Sequence, residues 1–355
     1  MPLSWNSNPA SRSRGLSIEL LSVLYLLSYV PYATLTRWLA TVPYAPLGRA
    51  LSGLEVLPAI TILAGVMTYS FIWASGWWRE AHSGRLFGFT LPRPTRWTLL
   101  SGVGAALLLF TVPLSFTFRH VSIPFMQLLM RGDVLLVAPL VDFLLGRRVR
   151  WYSWVALSLV AAGLSITINA RGGLYLPPLA IVTIVLYTFG YLVRIYAMTR
   201  VAKTGDPRAT KGYFVEEQLV AIPLALAGLA VLSLAHLGAQ GDQLRFGFIT
   251  VWGSGRVPYF LVLAALLFLI SVFAILILLN PRENTFCVPF ERSASVLAGL
   301  AATYLLAAMA LSPPPSRAEV AGAALLIFAI VLLSIAPRLA PSGRPRSDAA
   351  RDASA

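Results

Sequence analysis

The sequence predicts an all-α polytopic membrane protein whose ten transmembrane helices form two inverted five-helix repeats. Three observations lead to this prediction: an apolar composition, ten apolar runs of spanning length, and a similarity between two pairs of these runs. Of the 355 residues, 57% are apolar and 12% are charged, against about 45–50% and about 25% in ordinary soluble domains. The mean hydropathy is +0.75. This composition argues against a soluble enzyme.

Each of the ten runs is long enough to cross a hydrocarbon core of ~30 Å, which takes about 20 residues of helix. The runs are continuously apolar and lack the alternation of a membrane barrel strand, so we expect helices. The predicted spans are residues 18–36, 54–75, 97–118, 121–145, 151–169, 174–196, 218–238, 258–280, 284–311 and 318–336.

The spans divide the chain into four segments. Residues 18–169 are expected to form the first five-helix repeat, and residues 174–336 the second. Residues 1–17 and 337–355 are polar, and we expect them to be disordered cytoplasmic termini because they offer no packing core of their own.

The positive charges indicate the orientation of the helices. With both termini in the cytoplasm, most Lys and Arg residues fall in cytoplasmic segments, as the positive-inside rule requires. The net charge is +14, but the basic residues occur in short groups between apolar runs, which indicates membrane lipids and not nucleic acid as the charged partner. Arg greatly exceeds Lys, a coding bias typical of bacteria. We therefore expect a multi-pass protein of the cell (inner, or cytoplasmic) membrane.

The fourth and fifth predicted spans are similar to the ninth and tenth. When the fourth span is laid over the ninth, Arg131 aligns with Arg292. When the fifth is laid over the tenth, after a slightly longer loop, Ala156 aligns with Gly322 and Gly163 with Ala329. Because five is odd, a second unit of five helices must enter the membrane from the opposite face, which makes the repeats inverted. Inverted repeats suit alternating access, since one bundle can open to either side.

In these features the chain resembles the drug/metabolite transporter superfamily, with its EamA-like and nucleotide-sugar/triose-phosphate-transporter-like branches. The resemblance rests on the five-plus-five topology and on the segments SIPFMQLLMRGDVLLVAPLVDFLLG and NTFCVPFERSASVLAGLAATYLLA. It implies ten helices with both termini inside, a central cavity lined by the fourth and ninth helices, and transport or exchange of metabolites. The chain departs from the commonest bacterial pattern at Gly146-Arg147, where a Gly-Glu usually ends the fourth helix.

Two arginines lie near the middle of predicted spans. At 1.5 Å per residue, Arg131 is about 15 Å into its span and Arg292 about 12 Å. An ionisable side chain at such a depth costs at least ~2.5–3.5 kcal/mol. The neighbouring acids, Asp133 and Glu291, diverge from the arginines on the helix surface. We therefore expect each charge to find its partner on another helix or in a water-filled cavity.

These four charges have two interpretations. In the first, Arg131 and Arg292 bind an anionic group of a solute, while Asp133 or Glu291 serves in coupling or gating, for example by carrying a proton. In the second, the charges neutralise each other as the pairs Arg131–Glu291 and Asp133–Arg292, which fix the helix register or lock one access state.

Three further residues are candidates for the same site. Gln127, one turn before Arg131, is expected to orient the guanidinium group or the solute. Tyr187 and Tyr191, four residues apart in the sixth span, supply hydroxyls or aromatic wall, although an ordinary packing face explains them as well. Another group lies near predicted span ends and is expected at the membrane interface: Glu55, Asp142, Arg194, Glu216 and Glu217.

Several kinds of chemistry have no pattern in the sequence. Cys287 is the one cysteine, so no intramolecular disulfide can form, and the three histidines are far apart in the sequence with no metal-ligand spacing. The phosphate-binding pattern GxxxxGK[ST] is absent, as is a nucleophile with a matched base. We therefore expect no metal site, no cofactor and no enzymatic activity.

The leading hypothesis is a secondary transporter that moves a small polar metabolite, anionic or zwitterionic, by alternating access. Two alternatives stay open: a flippase for a lipid-linked substrate, and a membrane scaffold or accessory subunit without transport activity. The expected partners are the small-molecule substrate and membrane lipids, and a homodimer is left open.

Overall fold

The apolar runs are helical in the structure, a computed structural model that describes residues 17–86, 89–118, 120–132, 151–201, 206–235, 238–279 and 284–339. Within these ranges the chain forms eleven α-helices and one antiparallel hairpin. The helices are α1 (Ile18–Thr41), α2 (Gly53–Ala74), α3 (Arg96–Ser115), α4 (described over 123–132), α5 (Trp151–Ala170), α6 (Pro178–Val201), α7 (Pro207–Leu234), α8 (Gly238–Ile249), α9 (Val257–Leu278), α10 (Asn284–Ala308) and α11 (Arg317–Leu339). The hairpin pairs β1 (Ser83–Leu86) with β2 (Phe89–Pro92). Apart from this hairpin the protein is all-α, which confirms the predicted class.

Six of the described helices are long and apolar enough to cross a membrane: α1, α2, α3, α6, α7 and α9. The fifth predicted span contains a shorter apolar helix, Trp154–Ala170. The ninth and tenth predicted spans are helical as α10 and α11, and the predicted fourth span continues beyond the described residues of α4. The protein is a helical membrane protein with several candidate transmembrane helices.

Local capping sets where several helices begin. At α2, Ser52 and Glu55 form a capping box, with the Ser52 amide donating to the Glu55 carboxylate at 2.8 Å. Thr95 and Thr98 form the same reciprocal arrangement at α3. Asp206 caps α7 through the amide of Arg208 at 2.9 Å. As a result α7 begins well before residue 218, the start of the predicted span.

Two predicted boundaries are wrong because the helix extends beyond the predicted span through a charged residue, with its backbone hydrogen bonds intact. Arg37 follows the predicted first span, yet it lies inside α1, is buried, and donates to the backbone carbonyls of Phe118 and Val121. Glu217, predicted at the interface, lies well inside α7 and is 0% exposed.

Two elements are absent from the sequence prediction, α8 and the hairpin, because both are too short to be recognised as membrane spans. α8 packs against α2 and α7, and Ser52 donates to the side-chain oxygen of Gln243 at 2.9 Å. We call the end of the bundle that carries the hairpin and the start of α7 the hairpin end. The opposite end, which carries α8, is the α8 end.

The helices pack in a recurring pattern with close backbone approaches. α3 packs against α6 and α7, α1 against α9 and α10, α2 against α9, and α5 against α11. Where α3 crosses α6, a Cβ atom at Gly190 would lie 2.8 Å from the carbonyl oxygen of Gly104. Where α5 crosses α11, a Cβ atom at Gly163 would lie 3.2 Å from the carbonyl oxygen of Gly322. Small residues therefore set the distance between these helices, as is common in membranes.

We predict that Gly190→Ala destabilises the protein, because the added methyl group meets backbone that cannot move aside cheaply. Overpacking of this kind costs about 1–3 kcal/mol, and the temperature of thermal unfolding in detergent should fall accordingly. Gly228→Ala on α7 is the matched control, since a Cβ atom there has open space within 4 Å. It should leave the unfolding temperature unchanged or raise it. Equal unfolding temperatures for the two variants would contradict the close crossing.

Candidate functional site

A group of buried polar side chains lies where α1, α4, α6 and α10 meet. The hydroxyl of Tyr187 on α6 accepts one hydrogen bond from Arg131 on α4 and another from Arg292 on α10. Arg131 is 3% exposed and Arg292 is 0% exposed. Two guanidinium groups from different helices therefore share one oxygen atom. We call the following residues the central cluster: Tyr25, Tyr29, Gln127, Arg131, Tyr187, Tyr191, Glu291 and Arg292.

Arg131 is held from three helices. Its Nε donates to Oε1 of Gln127 at 3.0 Å, its Nη2 donates to the Tyr29 hydroxyl at 2.8 Å, and its Nη1 donates to Tyr187. Gln127 thus orients the guanidinium group from one turn away, as the sequence predicts. Hydrogen bonds from a charged donor are stronger than neutral ones, so this set fixes the direction of the Arg131 side chain.

Arg292 is stacked on a ring and less fully hydrogen-bonded. Its guanidinium carbon lies 3.5 Å from the centroid of the Tyr191 ring, a close cation–π contact. Nε and Nη2 of Arg292 are buried and have no hydrogen bond among the described residues. Nε lies 3.5 Å from Oε2 of Glu291, which makes an ion pair without a hydrogen bond. The expectation that adjacent Glu291 and Arg292 do not pair is therefore wrong, because two long side chains can bend together across the angle between them.

Glu291 is tied to α1 by a tyrosine that sequence reasoning missed. The hydroxyl of Tyr25 donates to Oε1 of Glu291 at 2.6 Å. Tyr25 and Tyr29 stand one helical turn apart, as do Tyr187 and Tyr191 in the second half of the chain. The spacing between these two tyrosine pairs is nearly the same as the spacing between Arg131 and Arg292. This shared spacing is the signal that could have found Tyr25 and Tyr29.

The predicted cross-helix ion pairs Arg131–Glu291 and Asp133–Arg292 stay predictions. Arg131 and Glu291 both belong to the central cluster, where Arg131 donates to Gln127, Tyr29 and Tyr187. Glu291 is paired with Arg292 and accepts from Tyr25. Asp133, and with it the predicted pair with Arg292, lies outside the described residues, as does the predicted interfacial Asp142. The structure therefore brings together six of the seven predicted site residues.

A cavity of about 90 Å³ adjoins the central cluster, which is enough for several water molecules. Seven helices contribute to its wall: α1, α3, α4, α6, α7, α9 and α10. Its polar lining includes Tyr25, Tyr29, Arg131, Tyr187, Tyr191 and Glu291. Arg292 is not among the lining residues, since it lies against the rings of Tyr187 and Tyr191. Arg131 and Glu291 are thus the charges of the central cluster that a solute in the cavity would meet.

The cavity runs from the middle of the bundle toward the hairpin end, where it reaches Leu278, the last residue of α9. Side chains pack together at the α8 end. There the guanidinium carbon of Arg256 lies 4.8, 4.9 and 5.4 Å from the ring centroids of Trp38, Tyr44 and Tyr259. The cavity is therefore closer to access from the hairpin end than from the α8 end.

At the α8 end, an ion pair fastens the loop before α2 to the start of that helix. Arg49 donates to both carboxylate oxygens of Glu55, at 2.9 and 2.5 Å. Its hydrogen bonds with Glu55 raise the pKa of the Arg49 guanidinium above its ordinary value. Glu55 therefore serves α2 and the adjoining loop, consistent with its predicted place near the end of a span.

A second buried charge pair borders the cavity. Arg194 of α6 lines the cavity and donates through Nε and Nη2 to the two carboxylate oxygens of Glu217 on α7, at 2.9 and 2.8 Å. Ser101 of α3 donates to Glu217 at 2.5 Å, and Tyr213 donates to Ser101 at 2.5 Å. Arg194 and Glu217, both predicted near the interface, are buried between α3, α6 and α7 and are paired with each other.

Glu216, the neighbour of Glu217 on α7, makes its contacts at the hairpin end. Glu216 accepts from the hydroxyl of Thr98 at 2.7 Å and lies 2.7 Å from Nδ1 of His82. Glu216 is therefore buried near the start of α3, and its predicted place at the membrane interface stays a prediction. Across the described ranges, no group of three or more His, Cys, Asp and Glu side chains is placed to hold a metal ion.

Comparisons with known proteins add little to this picture. No protein-family model matches the chain, and no curated protein matches it. The fold is similar to a solved structure described only as "Crystal structure of protein", with a TM-score of 0.48 and 14% sequence identity. That match covers 92% of this chain and 99% of the other. At this level the similarity identifies neither a family nor an activity.

We predict that Tyr187→Phe destabilises the protein, because it removes the oxygen that two buried guanidinium groups share. A hydrogen bond to a charged group contributes about 1.5–3 kcal/mol, so a clear fall in the temperature of thermal unfolding is expected. Tyr32→Phe is the matched control, since Tyr32 is equally buried and its hydroxyl has no hydrogen bond among the described residues. If both variants unfold at the wild-type temperature, the shared hydroxyl does not hold the cluster together.

Proposed function

We propose that this protein is a secondary transporter that moves a small polar metabolite, anionic or zwitterionic, across the membrane by alternating access. The observation that carries the proposal is Arg131, a guanidinium group fixed by α4, α1 and α6 at the wall of a central cavity. Guanidinium groups match the geometry of carboxylate and phosphate. Charged side chains at this depth in a membrane bundle mark substrate or ion pathways, and the cavity gives Arg131 room for a ligand.

The chemistry of the cavity wall favours a ligand that carries an anionic group. The guanidinium group of Arg131 lines the cavity together with the carboxylate of Glu291, so an anionic group would find a matching donor and a zwitterion a partner for each of its charges. Arg131 meets the solute, and Arg292 positions Tyr187 and Tyr191 from behind. Glu291 is the proposed coupling or gating carboxylate, because it lines the cavity and its Oε2 has no hydrogen bond within the described part of the chain.

The packing pattern supports the proposed inverted repeat. The proposal equates α1 with α6, α2 with α7, α3 with α9, α4 with α10 and α5 with α11. If each helix is replaced by its equivalent in the other repeat, the contact between α3 and α6 becomes a contact between α9 and α1. The contact between α3 and α7 likewise becomes one between α9 and α2. The contact between α5 and α11 is unchanged, because these two helices are equivalent to each other. All of these contacts exist. In the proposed repeat, Gly163 is equivalent to Ala329 and Gly322 is equivalent to Ala156. The contact between the two glycines therefore corresponds to a contact between the two alanines. Both alanines are 0% exposed and belong to the same hydrophobic core cluster.

The family and the orientation are part of the proposal. Five helices followed by five equivalent helices resemble the drug/metabolite transporter superfamily, in which α8 would be an insertion. The positive-inside rule puts both termini and the hairpin end in the cytoplasm. With that orientation the cavity extends toward the cytoplasm in the state described. The proposal assigns the chain no catalytic step and no cofactor, and it places the protein in a bacterial inner membrane.

We predict that Arg131→Gln abolishes uptake of the anionic solute in proteoliposomes. A screen of carboxylates, phosphorylated metabolites and amino acids by ligand-induced thermal stabilisation first identifies the solute, because a ligand of the folded state raises its stability. Loss of a charged hydrogen bond of about 1.4 kcal/mol or more corresponds to at least about tenfold weaker binding.

Arg208→Gln is the control, since it removes the same charge from an exposed position on α7. It should transport as the wild type does. Transport that survives Arg131→Gln would remove Arg131 from the site. A wild-type protein that neither binds nor moves any solute of the panel, and that purifies with a partner protein, would favour the scaffold function.

A further inference from the structure

Gln218 of α7 is a buried polar residue whose side chain takes no part in the hydrogen bonds between the described helices. The residue is 5% exposed and lines both the cavity and a smaller void of about 10 Å³. Its backbone carbonyl accepts from the hydroxyl of Tyr69 at 3.2 Å. Its side-chain amide, in contrast, forms no hydrogen bond within the described part of the chain.

A buried amide without a partner is costly, because the lost hydration of its donor and acceptor is not replaced. The cavity and the void are the spaces in which the Gln218 amide can find a partner. The void has about the volume of one water molecule, and the cavity holds several. Water can satisfy the amide in this way, and a solute that displaces the water must offer equivalent hydrogen bonds to bind well.

The hydroxyl groups that share these walls can accept hydrogen bonds but have no proton to give. Ser271 of α9 borders both spaces and donates to the carbonyl oxygen of Leu267 at 2.9 Å. Thr61 and Thr68 border the void and donate to carbonyl oxygens one turn earlier in α2, at 2.8 and 2.7 Å. Each of these oxygens is therefore left with acceptor capacity only. A carboxylate, which also only accepts, finds no donor in them.

The charges next to Gln218 are paired within the protein. Arg194 lines the cavity and donates through two nitrogens to the two carboxylate oxygens of Glu217, the residue before Gln218. A charged group of the solute would lose hydration beside this ion pair without an opposite charge to replace it. An uncharged hydroxyl group, which both donates and accepts, matches the amide and the hydroxyl acceptors.

We infer that Gln218 is a solute-binding residue that recognises an uncharged hydroxyl group of the solute. The amide donates to the hydroxyl oxygen, and Ser271, which borders the same two spaces, accepts the hydroxyl proton. This inference rests on the proposed function, because it requires a solute in the cavity. It does not depend on where the charged group of the solute binds, and it narrows the solute to a compact metabolite that carries a hydroxyl group besides its charge.

The test compares solutes in which a hydroxyl group is replaced by a methyl group of similar size. Homoserine is compared with norvaline and 4-hydroxybutyrate with pentanoate, so that a zwitterion and an anion are both represented. Dissociation constants are measured by calorimetry on the full-length protein in detergent. A site built to bind a hydroxyl group rejects the analogue without it, because the polar atoms of the site are then left unpaired. We predict that in at least one pair the hydroxyl solute binds at least about tenfold more tightly.

Burial of apolar surface alone favours the methyl member of each pair, so a preference for the hydroxyl member requires a polar partner in the site. Equal or weaker binding of the hydroxyl member in both pairs would overturn the inference, and so would a failure of all four solutes to bind. The proposed transporter would survive either result if another small anion or zwitterion is bound and transported.

Gln218→Leu separates recognition from the shape of the cavity. It should weaken the preferred hydroxyl solute at least about tenfold and leave the methyl counterpart bound as tightly as before, or more tightly. Gln240→Leu is the control, since it makes the same change at an exposed position of α8, and it should alter neither. If Gln218→Leu weakens both members of a pair equally, the amide does not recognise the hydroxyl group and the inference is wrong.

The protein without solute gives a second measurement. Because the described residues form no hydrogen bond with the Gln218 amide, Gln218→Leu should leave the temperature of thermal unfolding unchanged or raise it. A fall as large as that expected for Tyr187→Phe would mean that the amide holds the helices together, and it would overturn the role in binding.

Discussion

A guanidinium group in an apolar interior needs an acceptor for its hydrogen bonds, and two such groups here depend on one tyrosine. The hydroxyl of Tyr187 joins Arg131 to Arg292, while Tyr29 and Tyr191 complete their surroundings. The four helices that carry these residues can therefore move apart only if a buried charge loses a partner, which is strongly destabilising. The cavity takes its polar wall from the same side chains. The same hydrogen bonds therefore determine both the position of the cavity and the packing of α1, α4, α6 and α10.

The two halves of the bundle share a packing pattern but differ in chemistry. α3, α6 and α7 are joined by directional polar contacts, with Arg194 bonded to Glu217 and Glu217 to Ser101. When α1 is aligned with α6 through their tyrosine pairs, Tyr32 takes the position of Arg194. The hydroxyl of Tyr32 has no hydrogen bond among the described residues, and α9 is almost wholly apolar. Exchange between inward- and outward-open forms, if it follows the proposed repeat, would therefore connect two states of unequal energy.

The sequence predicted the features that depend on composition and missed those that depend on contacts. Long apolar runs predicted the helices, and a charge deep in a run drew attention to Arg131 and Arg292. The sequence did not single out Tyr25 and Tyr29, because tyrosine is common in membrane helices. Only the hydrogen-bond partner of a tyrosine hydroxyl shows whether the residue belongs to a polar cluster or only packs against its neighbours. Hydropathy places Arg37 in a loop, because it cannot show that a helix continues through a charged residue. The hairpin and α8 are too short for a search based on spanning length. The predicted inverted repeat and family stay proposals.

The buried glutamates differ in what they serve, and this difference narrows the choice of a coupling group. Glu55, Glu216 and Glu319 lie near helix N-termini, where backbone or side-chain donors stabilise a carboxylate. Glu217 lies deeper, but both of its oxygens are bonded to Arg194. Glu291 lines the cavity, and one of its buried oxygens has no hydrogen bond from any residue that the structure describes. A proton that arrives through the cavity can reach Glu291 without first breaking a bidentate ion pair. In the proposed transporter, Glu291 is therefore the one of these five buried glutamates whose protonation can respond directly to a solute at Arg131.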